Sequence, residues 1–155
     1  MNEIRNLYPD PHCYKTRDHW MGATPTQSGD KWRYEKKPEY NSALFAWWPS
    51  SSNALMAGRV LYARVTTDVQ EVVDNLAVEN ATTIVRRDGW IAARVADDNT
   101  ANHTLPLKYG PFVLDEVAVY TPEDWEHVYD LYQRGELVRP WFAGDLYPAN
   151  NVSGA

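Results

Sequence analysis

Cysteine is almost absent from this chain: Cys13 is its one thiol. An intramolecular disulfide is therefore excluded, and so is a zinc site built on cysteines. Glycine is scarce as well, eight residues in 155, and no two of them have the G-x-G spacing. That removes both the dinucleotide fingerprint of doubly wound folds and the Walker phosphate loop. No G-x-S-x-G elbow is present for a serine hydrolase. The histidines, His12, His19, His103 and His127, form none of the short metal-ligand spacings. No apolar run approaches the roughly 20 residues that a membrane span needs, and the start, Met1-Asn2-Glu3-Ile4-Arg5-Asn6, has no signal-peptide core. A cytoplasmic protein without a membrane partner is expected. The formal charge of −6 argues against general nucleic-acid binding.

Aromatic side chains are abundant: 7 Trp, 10 Tyr and 3 Phe. Nine lie in residues 1–48 and nine in 109–147, leaving Tyr62 and Trp90 between. Such a chain can fold around a large core, so one domain over 1–155 is expected. Residues 1–10 and 146–155 read as peripheral or flexible tails. Charge is uneven too. Residues 15–37 carry six basic and three acidic side chains, net +3, and residues 115–136 carry one basic and seven acidic, net −6. Such a dipolar chain can turn a basic face to an anionic ligand.

Prolines cluster in 9–49 and 106–148 and are missing from 50–105, where the most regular structure should lie. Arg59 to Thr66 is rich in β-branched and aromatic residues and predicts a strand. Thr67 and Asp68 offer N-caps for a helix through Val69, Val72, Val73 and Leu76. A second helical turn is expected around Ala81–Arg86. Asp88-Gly89 predicts a turn into a strand from Trp90 to Val95. Phe112 to Tyr120 reads as a strand with Val113, Val117 and Val119 on one face. Thr121-Pro122-Glu123-Asp124 predicts a capped helix carrying Trp125, Val128, Tyr129 and Tyr132 and ending at Gly135. Residues 21–31 read as a mobile connection, and Lys31 to Lys37 as a solvated strand edge. About five strands and two helices give an α+β domain with a split mixed or antiparallel sheet core.

Several segments recur in a suggestive order: Cys13-Tyr14-Lys15-Thr16 as an early strand, Ala43 to Leu55 as an aromatic strand running into Ser50-Ser51-Ser52, the Arg59–Thr66 strand, the Asp88-Gly89-Trp90-Ile91 turn, and Glu116-Val117-Ala118-Val119-Tyr120-Thr121-Pro122. This order resembles the small ADP-ribosyltransferase fold over about residues 12–128. Some compact, phage-encoded members of that fold inhibit bacterial defence, and the size is similar. The resemblance implies NAD as a substrate, no metal, and transfer of ADP-ribose to a macromolecule, most simply a protein. It implies Glu116 as the catalytic carboxylate, placed to stabilise the oxocarbenium-like charge that builds as the nicotinamide–ribose bond breaks. Hydroxyls of Ser50, Ser51 and Ser52 would meet ribose; Phe45, Trp47, Trp48 or Tyr120 would stack on nicotinamide; Tyr14, Thr16 and Lys15, Arg17 or Arg59 would hold the rest of the dinucleotide. Lys15 stands where the family places His or Arg, with Arg17 and His12 as substitutes. Leu114 stands where arginine-directed members carry Glu or Gln, so that acceptor class is not expected. Two other readings rest on the same residues: a non-enzymatic protein of the viral anti-defence kind that blocks a host protein through its aromatic or acidic surface, and a nucleotide-binding module without catalysis.

Overall fold

The structure, a computed structural model, describes residues 4–8, 12–13, 20–46, 57–97, 103–142 and 146–147. Along the chain run β1 (Ile4–Arg5), β2 (Trp20–Met21), β3 (Ala23–Ser28), β4 (Lys31–Lys36), β5 (Leu44–Ala46), β6 (Val60–Thr66), α1 (Gln70–Asp74), β7 (Thr82–Arg87), β8 (Trp90–Arg94), β9 (Thr104–Pro106), β10 (Phe112–Tyr120), α2 (Pro122–Gln133) and β11 (Leu146–Tyr147). Six strands form the main sheet in the order β3-β4-β10-β6-β8-β7, with β2-β5-β9 as a smaller sheet and β1-β11 as a pair. Every pairing among the described residues is antiparallel. The α+β class holds, in its antiparallel form.

The main sheet is buried on both faces at its centre. One face carries Leu61, Ala63, Val65, Ile91, Ala93, Phe112, Leu114, Val117 and Val119 and packs against Phe45, Leu105 and Leu107 of the small sheet and Val72 and Leu76 of the α1 region. The other carries Val60, Tyr62, Trp90, Ala92, Ala118 and Tyr120 and packs against Ile4, the Trp125, Val128 and Leu131 stripe of α2, and Leu137, Trp141 and Phe142. Burial on two sides removes the polar alternation from β6, β8 and β10, which explains their near-continuous apolar sequences.

α2 follows its local signals closely. Thr121 Oγ1 accepts the Asp124 N–H at 3.2 Å, and Pro122 opens the first turn. α1 is shorter than its sequence promised. Thr67 Oγ1 accepts the Val69 N–H at 3.0 Å, but the residue at the cap is Val69, whose side chain has no hydrogen-bonding group.

Five expectations are corrected. Residues 82–87 form a strand, not a helical turn: Asp88 and Gly89 both take positive φ, +50° and +88°, and fold β7 back on β8 as a hairpin. Residues 23–28 pair with β4 along their whole length, so the stretch read as mobile is an edge strand. β4 in turn lies inside the sheet, between β3 and β10, and buries Tyr34. Cys13 is buried in a left-handed conformation with φ +58° and is not extended, and the rest of the expected strand, 14–16, lies outside the described residues. Ile4, Asn6 and Tyr8 are buried, so this part of the expected N-terminal tail is built into the fold.

The sixth difference bears on the site. The register of β10 against β6 shifts between Leu114 and Glu116. Asp115 is the extra residue of a bulge, which resets the alternation of side chains. Phe112 and Leu114 therefore share a face with Val117 and Val119, and Val113 belongs to the other face. Without the bulge Glu116 would continue the Phe112–Leu114 row into the apolar core.

Candidate functional site

The bulge turns Glu116 onto the α2 face, opposite Arg64 of β6. Arg64 lies opposite Trp90 of β8, and Trp90 opposite Arg87 of β7. One row of side chains thus crosses four strands as Glu116, Arg64, Trp90 and Arg87. Further along the sheet face Arg33, Val113 and Thr66 form the neighbouring row.

Glu116 is closed in. Tyr62 Oη donates to its Oε1 at 2.7 Å, Arg139 Nε donates to Oε1 at 2.9 Å, and Arg139 Nη2 donates to Oε2 at 2.6 Å. Arg64 Nη1 stands 3.8 Å from Oε2. The carboxylate side chain is only 6% exposed, whereas the Arg139 and Arg64 side chains are 25% and 33% exposed. The buried group is thus the acid, and the groups open to water are the two bases. One negative charge faces two positive ones, leaving one unit of positive charge on partly open guanidinium groups.

The surroundings respond to that charge. The hydrogen bonds that Arg139 donates to Glu116 hold its guanidinium above its already high pKa, against an opposing effect of burial. Burial first, and the Glu116 charge second, push the Tyr62 hydroxyl well above the ordinary tyrosine value. Tyr120 is raised in the same way, by burial and then by Glu116 and Asp124.

Other cations border the cluster. Lys31 Nζ donates to the Asp115 carbonyl at 2.8 Å and to the His12 carbonyl, pinning the bulge to the N-terminal segment. The His12 ring meets Trp141 edge-on at 5.4 Å, and Trp141 Nε1 donates to the Val117 carbonyl at 3.2 Å. At the far end of the row Arg87 Nη1 donates to Tyr132 Oη at 3.2 Å, and the Tyr132 ring stands edge-on to Trp90 at 5.5 Å. Arg87, Tyr129, Tyr132 and Gln133 line a shallow hollow of about 350 Å³. Trp125, Tyr129 and Tyr132 make a ladder there, with ring centres 5.1 and 5.7 Å apart.

The sequence-predicted residues fall in different places. Tyr120 shares the Glu116 face but is fully buried beneath α2, its hydroxyl donating to the Pro140 carbonyl at 3.2 Å. Phe45 is buried on the opposite side of the main sheet, edge-on to Tyr8 at 6.2 Å. Arg59 is half-buried just before β6, where its carbonyl accepts the Val95 N–H. His12, named as a substitute, does approach the Glu116 region through Lys31. Tyr14, Lys15, Thr16, Arg17, Trp47, Trp48, Ser50, Ser51 and Ser52 lie outside the described residues. Arg139, Arg64 and Tyr62 escaped sequence reasoning as Glu116 partners. Arg139 stands 23 positions from Glu116 in an irregular segment before a proline, and no local pattern marks it. Among the described residues no group of three or more His, Cys, Asp or Glu could hold a metal ion, and no helix is long and apolar enough to cross a membrane.

No protein-family model, no curated protein and no solved structure gives a significant match to this chain.

Proposed function

We propose that this protein is a nucleotide-binding module without catalysis, one that takes the phosphates of a dinucleotide at the Arg64–Arg139 end of its main sheet. The observation behind this reading is the convergence of two partly open guanidinium groups on one buried carboxylate. Glu116 then serves as the counter-ion that holds the arginines in place. Guanidinium groups suit phosphate because their planar donors match its oxygens in pairs. The Tyr129–Tyr132 hollow beside Arg87 offers a wall on which a base can stack. Arg64 and Arg87 stand two strands apart, about 10 Å from strand spacing alone, a distance a nucleotide spans from phosphate to base.

Transfer of ADP-ribose remains a second reading, favoured by one observation. Among the described residues Glu116 Oε2 accepts one hydrogen bond, and the Arg139 that makes it is a quarter exposed. A pyrophosphate that drew Arg139 away would free that oxygen for the ribose 2-hydroxyl and the charge on the anomeric carbon.

Titration calorimetry with NAD, ADP and inorganic pyrophosphate tests the first reading. NAD should bind, and Arg64→Gln or Tyr132→Ala should weaken it by about tenfold or more. Absence of any heat with all three at millimolar concentration would sink it. Incubation of labelled NAD with a cell lysate separates the two readings: release of nicotinamide or transfer of label, lost in Glu116→Gln, would establish the enzyme.

A further inference from the structure

We propose a second ligand site, for a small carboxylate with a flat apolar body, in the cleft where the small sheet meets the end of β4. This cleft lies on the side of the main sheet that Glu116 does not face, and it is independent of the nucleotide reading. Its volume is about 390 Å³, within the range of small-molecule pockets. Ala43, Leu44, Pro106 and Leu107 give it apolar walls, and Lys36 and Lys108 stand on its lining.

The walls are fixed before any ligand arrives. β5 and β9 pair through Leu44 and Pro106, and the Leu107 N–H donates to the Ala43 carbonyl at 2.9 Å, continuing the ladder behind the cleft. The Lys37 N–H donates to the Gly22 carbonyl at 2.9 Å, which ties the rim to the corner before β3. Gly22 has φ +69°, and a Cβ there would lie 2.6 Å from the Ser42 carbonyl oxygen, so only glycine lets the two segments approach. A preformed cleft loses little entropy when it is filled.

The charge of the lining sets the ligand's sign. Lys36 Nζ donates to the Tyr40 carbonyl at 2.6 Å and to the Lys37 carbonyl at 3.1 Å, so among the described residues two of its three protons are engaged. Lys108 is exposed, with its ammonium 5.5 Å from the centre of the Tyr109 ring. The one acid among the described lining residues, Glu79, accepts the Thr104 hydroxyl at 2.5 Å on Oε1. Two cations against one engaged carboxylate favour an anion at the mouth, and the apolar walls favour carbon behind it. Asn41 and Ser42 add polar groups that can orient the carboxylate.

Three probes of one shape test the assignment: 2-naphthoate, 2-naphthamide and 2-naphthylmethylamine, followed by calorimetry and by methyl shifts of Leu44 and Leu107. The acid should bind about tenfold more tightly than the amide, and the amine more weakly still. Lys108→Glu should weaken the acid by a similar factor. Leu44→Trp should abolish binding by filling the cleft, and Ser42→Trp, at an exposed position on the rim, does the same should Leu44→Trp fail to fold. NAD binding should be unchanged in Lys108→Glu and Ser42→Trp. Equal affinity for acid and amide, or acid binding that survives in a folded Trp variant, would overturn the proposal.

Discussion

Arg139 grips Glu116 with two N–H···O bonds, 2.9 Å from Nε to Oε1 and 2.6 Å from Nη2 to Oε2. The pair joins the irregular segment after α2 to the central strand of the sheet. Arg139→Met would leave the buried carboxylate with Tyr62 and with Arg64 at 3.8 Å. Removing one partner of a buried pair costs about 3–5 kcal/mol, and the partial exposure of Arg139 places this case near the lower figure. Urea unfolding should show that loss. Glu116→Leu combined with Arg139→Leu should recover much of it, because no unpaired charge stays buried. A loss below about 0.5 kcal/mol in Arg139→Met would place the pair among surface contacts of little worth.

Tyr62 supplies the third hydrogen bond to Glu116, at 2.7 Å, from the buried face of β6. A bond to a charged acceptor contributes about 1.5–3 kcal/mol, so Tyr62→Phe should destabilise by that order. The pH dependence has a definite sign. Burial and the Glu116 charge hold the folded Tyr62 hydroxyl above its ordinary value of 10.0, so the native state keeps a proton that the unfolded chain releases. Stability should therefore fall as pH rises above 10.0. Tyr62→Phe should make that decline shallower without removing it, because Tyr120 is raised in the same direction. Unfolding curves collected across the alkaline range decide the point, and an unchanged slope in the variant would contradict it.

How much of this was readable in advance follows from how local each signal is. Thr121-Pro122 announces α2, because cap and first-turn geometry depend on four adjacent residues. Asp88-Gly89 announces its turn for the same reason. β7 is hard to read because Thr82–Arg87 is an edge strand, exposed except at Val85, that is held mainly by pairing with β8. A hairpin turn implies a strand before it as well as after it, and β7 is the strand before this one. β3 was hidden by Thr24, Pro25 and Ser28, which suit a loop, yet an edge strand tolerates proline. The sequence offers Glu116 as a candidate catalytic carboxylate, but its partners depend on a bulge and on a residue after α2. Neither leaves a mark in the local sequence.

Asn6 shows how firmly the N-terminal segment is held. Its Nδ2 donates to the Val117 carbonyl at 3.1 Å, and its Oδ1 accepts the Tyr8 and Val119 N–H groups at 3.0 and 3.1 Å. The Leu7 N–H donates to the Val119 carbonyl at 2.8 Å beside it. One buried amide therefore satisfies three backbone groups that water does not reach. Asn6→Leu would orphan the Tyr8 and Val119 N–H groups, at about 1 kcal/mol or more for each, and leave the Val117 carbonyl to the Trp141 indole N–H. A total loss of about 2 kcal/mol is expected in urea unfolding, with faster amide exchange at Tyr8 and Val119. Exchange at those two positions that matched the wild type would show that Asn6 is dispensable.

His103 presents the opposite case, a buried polar group left poorly served. Its ring is 2% exposed, and neither nitrogen makes a well-formed hydrogen bond among the described residues. Burial holds the imidazole below its ordinary value of 6.5, with a smaller opposing pull from the backbone of Glu79 and Asn80. A base whose folded pKa is lowered binds its proton more readily in the unfolded chain, so stability is lost as pH falls below 6.5 and on through the folded value. His103→Leu removes both the titration and the unmet polar atoms. It should flatten the acid limb of the stability profile between pH 6.5 and the folded value, and at neutral pH it should stabilise by about 1 kcal/mol. Thermal unfolding of wild type and variant from neutral to mildly acidic pH provides the check. An acid limb that kept its slope in His103→Leu would assign the acid sensitivity to the carboxylates instead.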